Sequence, residues 1–491
     1  MSNHTVQYPE LTPELQKGFS WRSLKYFGAG AIIASVTIGS GETLFASRGG
    51  AVFGYALLWC FVGGSIMKGI QVYSSARYMT LTGVHPITHW AFLPGPRGWV
   101  PFFFGVISLG CFPFWLAGLP LMMGTAINWI FGISGDDPEK FLFYARCWGT
   151  VCIVVAVTLT SVQSYGALEK AQTAIVGILL FSMLAACFAS QPDWLAALSG
   201  TFMPNLPDYA PWIVEKYPTV AARPSWVEVG IYLGAIGGGS YDYIGYLGCF
   251  REKSWGLLGR NNNGDVAAAI ARSSVNLPEP GLSIDTSKDN LRRGRTWLIP
   301  PQVDVGAGFI SVTLFTICFV LLGASLLHPE QLIPAGQELL TYQARFLTQF
   351  HPSFLYLYQI GIFMAFFGTI YGAYEIYLRT AYECWMPLSS KLRAMPVRRF
   401  RLGILAYCGF GGLIVMWLFE DPLKIVTPAA IVGGVLTCGL WCFAMIWIDR
   451  KFLPKELRMR GVLLILTWIS GIAMTALGVQ SLWTYVKGLL A

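Results

Sequence analysis

The stretch TIGSGETLFASRGG (residues 37–50) closes an apolar run that starts near residue 27. Gly39-Ser40-Gly41 disfavours helix inside a segment otherwise long enough to cross a bilayer, and Glu42 adds a carboxylate that is costly when ionised in hydrocarbon. A second such place occurs at Gly237-Gly238-Gly239-Ser240, again within an apolar run. The chemistry matches as well: Ser40-Gly-Glu42 answers Ser240-Tyr-Asp242, each serine two residues ahead of an acid. An interrupted helix leaves unpaired N–H groups on one piece and unpaired C=O groups on the other. Two such breaks therefore predict a polar site in mid-membrane.

Composition supports the bilayer. Of 491 residues, 54% are hydrophobic and only 12% charged, with a mean hydropathy of +0.54, far from the balance of a soluble domain. Eleven spans are expected, near 27–47, 51–74, 99–131, 147–163, 171–190, 225–250, 299–326, 353–379, 403–419, 424–448 and 461–484. They run apolar without the alternation of barrel strands, so the expected class is an all-α integral membrane protein. The two breaks fall in spans 1 and 6, five spans apart. An odd number of spans per half makes the second half inverted relative to the first, giving a 5+5 inverted repeat with one extra C-terminal helix. The expected organisation is a cytoplasmic segment 1–26, a first repeat 27–190, an external loop 191–224, a second repeat 225–448 with a cytoplasmic loop 251–298, and a connector plus last helix over 449–491.

Sidedness follows from the basic residues. With the N-terminus inside, most of the 34 Lys and Arg fall on the cytoplasmic side, including Arg292, Arg293 and Arg295, then Arg398, Arg399 and Arg401. This positive-inside pattern accounts for the net charge of +8 without nucleic acid. It places the C-terminus outside, with a bacterial inner membrane as the expected location. Residues 1–26 are polar and do not read as a cleaved signal peptide. The 18 tryptophans, among them Trp21, Trp99, Trp255 and Trp297, lie largely at span ends and read as interfacial anchors. Ser225-Trp-Val-Glu228 reads as a capping box opening span 6. His85 and His89 read as loop residues because Pro86 biases its predecessor away from helix.

The candidate substrate site comprises Thr37, Gly39, Ser40, Gly41 and Glu42 from span 1 and Ala235, Gly237, Gly238, Gly239 and Ser240 from span 6. Backbone N–H groups at the breaks suit an anion, carbonyls suit a cation, and both together suit a zwitterion. The glycines serve either a ligand that touches backbone or a close helix contact. Glu42 and Asp242 either couple transport to a proton or cation, or cap the first turn of their half-helices.

The run Gly28-Ala-Gly-Ala-Ile-Ile-Ala-Ser35, then Gly39-Ser-Gly-Glu42, Gly49-Gly50 and Gly54-Tyr55 resembles the first two helices of the Nramp divalent-metal transporters. Leu233-Gly-Ala-Ile236 is similar to the start of their broken helix 6. The resemblance implies a LeuT-type fold. It also implies ligand positions this chain has changed: the family's Asp-Pro-Gly-Asn falls on Gly39-Ser40-Gly41-Glu42, and its Met-Pro-His on Gly238-Gly239-Ser240. Glycine and serine supply neither the charge nor the softness a manganese or iron site needs. The Gly-Ser-Gly turn also looks like that of amino-acid transporters in the wider superfamily.

The expectation is a secondary active transporter, not an enzyme, working by alternating access and coupled to protons through Glu42 or Asp242. Its cargo is a small polar organic solute or a hard cation. The alternative is metal:proton symport using Glu42 and Asp242. No cofactor is expected, and the bilayer, the cargo and a coupling proton are the only partners read from the sequence.

Overall fold

The computed structural model describes residues 5–133, 135–162, 165–261, 283–334 and 338–490. Its described residues are mostly helical and form no strand, only one isolated β-bridge between Val6 and Ile284. The long helices are α1 (Ala29–Phe53), α2 (Leu58–Thr82), α3 (Trp99–Ile130), α4 (Pro138–Val162) and α5 (Tyr165–Ala189). Next come α6a (Ser225–Ala235) and α6b (Ser240–Cys249), then α7 (Ile299–Leu322), α8 (Phe354–Trp385), α9 (Val397–Leu418), α10 (Pro422–Phe452) and α11 (Gly461–Leu490). Among the described residues, 8 helices are long and apolar enough to cross a membrane: α1, α3, α4, α7 to α11. Helices also fill the positions of spans 2, 5 and 6.

Burial sorts these helices into a core and a rim. The most apolar stretch of α1 is 100% buried and that of α10 is 78% buried, whereas those of α4, α9 and α11 are only 28% buried. The rim exposes large apolar side chains such as Phe181, Phe410, Ile465 and Trp483, which suits lipid contact rather than water. The core helices approach closely through small residues. A Cβ on Gly434 would stand 2.3 Å from the Gly234 carbonyl oxygen, so α10 touches α6a backbone to backbone.

The two irregular places differ in kind. Helix 6 is broken outright: Ile236 is extended, Gly237 and Gly238 take φ of 67° and 87°, and α6b starts at Ser240. Those positive φ values are accessible to glycine at little cost and strained for other residues. Helix 1, in contrast, is not interrupted. Residues Ile38–Ala46 form a π-helix that joins two α-helical pieces, and the Thr43 hydroxyl donates to the Ile38 carbonyl five residues back at 2.6 Å. The expected gap at residues 39–41 is thus corrected to a widened turn. Its glycines are needed for contact: a Cβ on Gly39 would lie 2.1 Å from Thr369 Oγ1 and one on Gly41 2.2 Å from the Ala235 carbonyl oxygen.

Three smaller readings change. Ser225 is the first residue of α6a rather than its cap, and Glu228 pairs with Arg48 and Arg223 instead of closing a capping box. Pro86 opens the short helix Pro86–Trp90, so His89 is helical and buried while His85 is its extended N-cap. Trp255 and Trp297 are buried at the N-terminal end, where Trp297 Nε1 donates to the Pro9 carbonyl at 3.0 Å. They bind residues 5–26 to the chain beyond α6b, together with Tyr8 N–H, which donates to Asn290 Oδ1 at 2.8 Å. Of the long loop, residues 262–282 lie outside the described residues.

Candidate functional site

The break in helix 6 frees backbone groups that must be satisfied within the protein. Three charged side chains do most of this. From α1, Glu42 Oε1 accepts the Gly237 N–H at 3.1 Å. From α6b itself, Asp242 Oδ2 accepts the Gly239 N–H at 2.7 Å, capping its own helix. From α2, the Lys68 ammonium donates to the carbonyls of Gly234, Ile236 and Gly238 at 3.0, 2.6 and 2.6 Å. The Tyr243 hydroxyl reaches the carbonyls of Gly237 and Gly238 at 2.8 and 3.1 Å. Lys68, Glu42 and Asp242 are all at most 3% exposed. Lys68 therefore sits where a bound cation would find its oxygen ligands, with a carboxylate tied to the N–H groups on either side.

Beside the break lies a small cavity of about 10 Å³, lined by Thr37, Trp115, Ala235, Gly238, Tyr241, Asp242 and Tyr377 together with Val36 and Leu119, room for about one water-sized group. Thr37, Ala235, Gly238 and Asp242 thus share one wall. Gly39 and Gly41 instead face α8 and α6a, and Ser240 turns to α10, its hydroxyl 2.6 Å from Thr437 Oγ1 and 3.2 Å from the Gly433 carbonyl. Gly237 and Gly239 contribute their N–H groups to the two carboxylates. The side chain of Ser40 lies outside the described part. Several polar atoms here have no protein partner: Glu42 Oε2, Asp242 Oδ1, Tyr241 OH and Trp115 Nε1. Among the described residues, no three His, Cys, Asp or Glu side chains converge to hold a metal ion.

The two ends of the molecule differ. Opposite the N-terminal end, a vestibule of about 630 Å³ opens between α3, α4, α10 and the segments before α6a and α8, with Leu121 and Met122 on its wall. Leu119, one turn below Met122, already lines the inner cavity. At the N-terminal end, buried ion pairs tie the helices: Arg77 with Asp449 at 2.6 Å, Arg251 with Glu383 at 2.7 Å. Glu375 and Arg379, one turn apart on α8, pair at 3.1 Å, and Glu375 also meets Arg401.

Sequence reading missed Lys68, although a lysine at the centre of an apolar span is a functional signal by itself. It also missed Asp304 of α7, whose Oδ1 accepts the Gly28 and Gly30 N–H groups at 2.8 and 3.0 Å and so caps α1. Trp115 and Tyr377 carried no signal, because aromatic residues in apolar helices read as packing.

Residues 30–216 match the family model for natural resistance-associated macrophage protein-like (Nramp) sequences. The manganese transporter of Eremococcus coleocola, in complex with an aromatic bis-isothiourea compound, superposes with a TM-score of 0.62 at 13% identity, over 99% of this chain and 94% of that one. A variant of the same transporter gives 0.63 at 12% identity with the same coverage. MhsT, solved in complex with L-phenylalanine, gives 0.53 at 14% identity, over 92% of this chain and 98% of that one. No curated protein matches the chain in sequence. Residues 30–216 thus resemble the Nramp family, and the chain is an integral membrane protein with the LeuT-type transporter fold.

Proposed function

We propose that the protein is a secondary active transporter that carries a small polar organic solute by alternating access, with transition-metal transport lost. The observation that carries this reading is the Lys68 ammonium, hydrogen-bonded to three carbonyls of the helix 6 break. A cation cargo would have to displace a tethered, desolvated ammonium from its ligands and then share the site with it, which like-charge repulsion opposes. The fold does not choose the cargo, since it hosts both a manganese transporter and a protein holding L-phenylalanine. Glu42 and Asp242, each with one unpartnered oxygen, are the groups that hold the coupling proton. The competing reading, metal:proton symport through Glu42 and Asp242, keeps both carboxylates on one break but requires Lys68 to leave it.

With the basic segments facing the cytoplasm, the N-terminal end is internal and the vestibule external. The vestibule on that side and the buried ion pairs that tie the helices at the other support an outward-oriented state. Proteoliposomes loaded with a pH-sensitive dye test the reading. Amino acids, small carboxylates, small amines and manganese are added in turn; at least one organic solute is expected to drive proton movement, and manganese is not. Saturable manganese-driven proton movement that disappears in Glu42→Gln would overturn it.

A further inference from the structure

The helix Lys288–Thr296 runs into α7 through Trp297 and Leu298. One face of it carries a shallow hollow of about 540 Å³, lined by Lys288, Leu291, Arg292, Arg295, Thr296 and Ile299. These positions recur every three or four residues and so form one stripe of the helix. Three of the six are basic, and among the described residues no acid lines the hollow. Asp289 lies off the stripe and pairs with Arg292 and Arg293 at 2.9 and 3.3 Å, while Arg295 Nη2 donates to the Glu456 carbonyl at 3.2 Å. Lys288, Arg292 and Arg295 stay exposed, and exposed lysine and arginine are charged at neutral pH.

The place of this stripe selects the ligand. α7 has 24 residues, about 36 Å of helix against a hydrocarbon core of about 30 Å, so the helix before it stands at the level of the lipid headgroups. The residues before α1 pack on α7 as well and leave Trp21 88% and Phe19 70% exposed, aromatic side chains that suit the membrane–water interface. From the hollow, one stripe of α7 continues through Ile299, Gly306, Ile310 and Leu314. Ile310 is 61% and Leu314 38% exposed, and a Cβ on Gly306 would meet nothing within 4 Å. Basic side chains thus sit at the end of an apolar track that is flattened at Gly306. A phosphate on the basic groups with an acyl chain along the track uses both halves. Nucleic acid or an acidic protein would use the charges and leave the track empty.

We propose that this stripe binds an anionic phospholipid, its phosphate held by Lys288, Arg292 and Arg295 and one acyl chain laid along Ile299, Gly306 and Ile310. Such a site is independent of the cargo, and its failure would leave the transporter reading intact.

Native mass spectrometry of the delipidated full chain, titrated with phosphatidylglycerol or with phosphatidylcholine of the same acyl chains, tests it. Phosphatidylglycerol is expected to bind at least tenfold more tightly. Each basic residue near an anionic lipid surface contributes about fivefold, so Lys288→Gln combined with Arg292→Gln should weaken phosphatidylglycerol at least tenfold and leave phosphatidylcholine unchanged. Arg398→Gln with Arg399→Gln removes the same charge from another cytoplasmic segment and should change binding less than twofold. Gly306→Leu fills the track and should weaken phosphatidylglycerol at least threefold. Equal binding of the two lipids, no loss in Gly306→Leu, or an equal loss in the Arg398 and Arg399 variant would overturn the proposal. Displacement of the lipid by equimolar glycerol 1-phosphate would overturn it too, by showing that a free phosphate suffices. The comparison of the two lipids on the unaltered chain decides even where a variant fails to fold.

Discussion

Lys68 enters the protein from the middle of α2 and ends on three carbonyls of a different helix, so its charge is held by backbone rather than by a partner side chain. Removing it should be costly on two counts. In Lys68→Met the carbonyls of Gly234 and Ile236 lose this ammonium donor, and Glu42 and Asp242 lose their shared counter-charge. The expected destabilisation is about 3–5 kcal/mol, as for one partner deleted from a buried charge pair. Denaturant unfolding in detergent, followed by tryptophan fluorescence, reads it, and an unchanged midpoint would show that the ammonium is replaceable. Gly238 makes a separate point. At φ of 87°, with a Cβ only 2.9 Å from Asp242 Oδ2, Gly238→Ala meets both backbone strain and a clash with the cap. It should cost about 1–3 kcal/mol and abolish solute-driven proton movement, whereas Gly63→Ala, with open space around its Cβ, should do neither.

Among the elements, helices 1 and 6 solve one problem in two ways. Both must bring backbone close to a neighbour at the centre of the protein. Helix 6 does so by breaking, because three consecutive glycines permit conformations with positive φ. Helix 1 has only isolated glycines on either side of Ser40, and it keeps its hydrogen bonds by widening to a π-helix. Glycine content in the sequence marked both places correctly as irregular, but the form of the irregularity depends on contacts with Thr369, Ala365 and Ala235 that no local pattern contains. The ion pairs at the N-terminal end illustrate the same limit. Arg251 and Glu383 lie 132 residues apart and meet with Arg251 Nε and Nη2 2.7 and 2.9 Å from the two carboxylate oxygens. Arg251→Ala should destabilise by about 3–5 kcal/mol, and the double variant with Glu383→Ala by less than the sum of the two singles. Additive losses in a double-mutant cycle would mean that the pair is not coupled.

At the scale of the whole molecule, a vestibule of about 630 Å³ opens opposite the N-terminal end, where, among the described residues, buried ion pairs tie the helices together. Met122 lies on the vestibule wall, and Leu119 one turn deeper lies on the inner cavity. In a Cys147→Ser background, Met122→Cys should react with a membrane-impermeant thiol reagent added from the side opposite the N-terminus, and Leu119→Cys should react much more slowly. Equal rates would remove the barrier between the two spaces. The membrane class and the two irregular places in helices 1 and 6 were legible in the sequence because length, apolarity and glycine-rich interruptions are local properties. The resident lysine and the aromatic cavity were not, because they are assembled from α2, α3, α6b and α8 only after folding. The central claim, that an internal ammonium has taken over the cation position of the helix 6 break, is tested most directly by anomalous diffraction from crystals soaked in manganese. The account predicts no anomalous peak between Glu42 and Asp242, with Lys68 density continuous with the Ile236 and Gly238 carbonyls. A manganese peak at that position, with Lys68 swung away from the break, would contradict it.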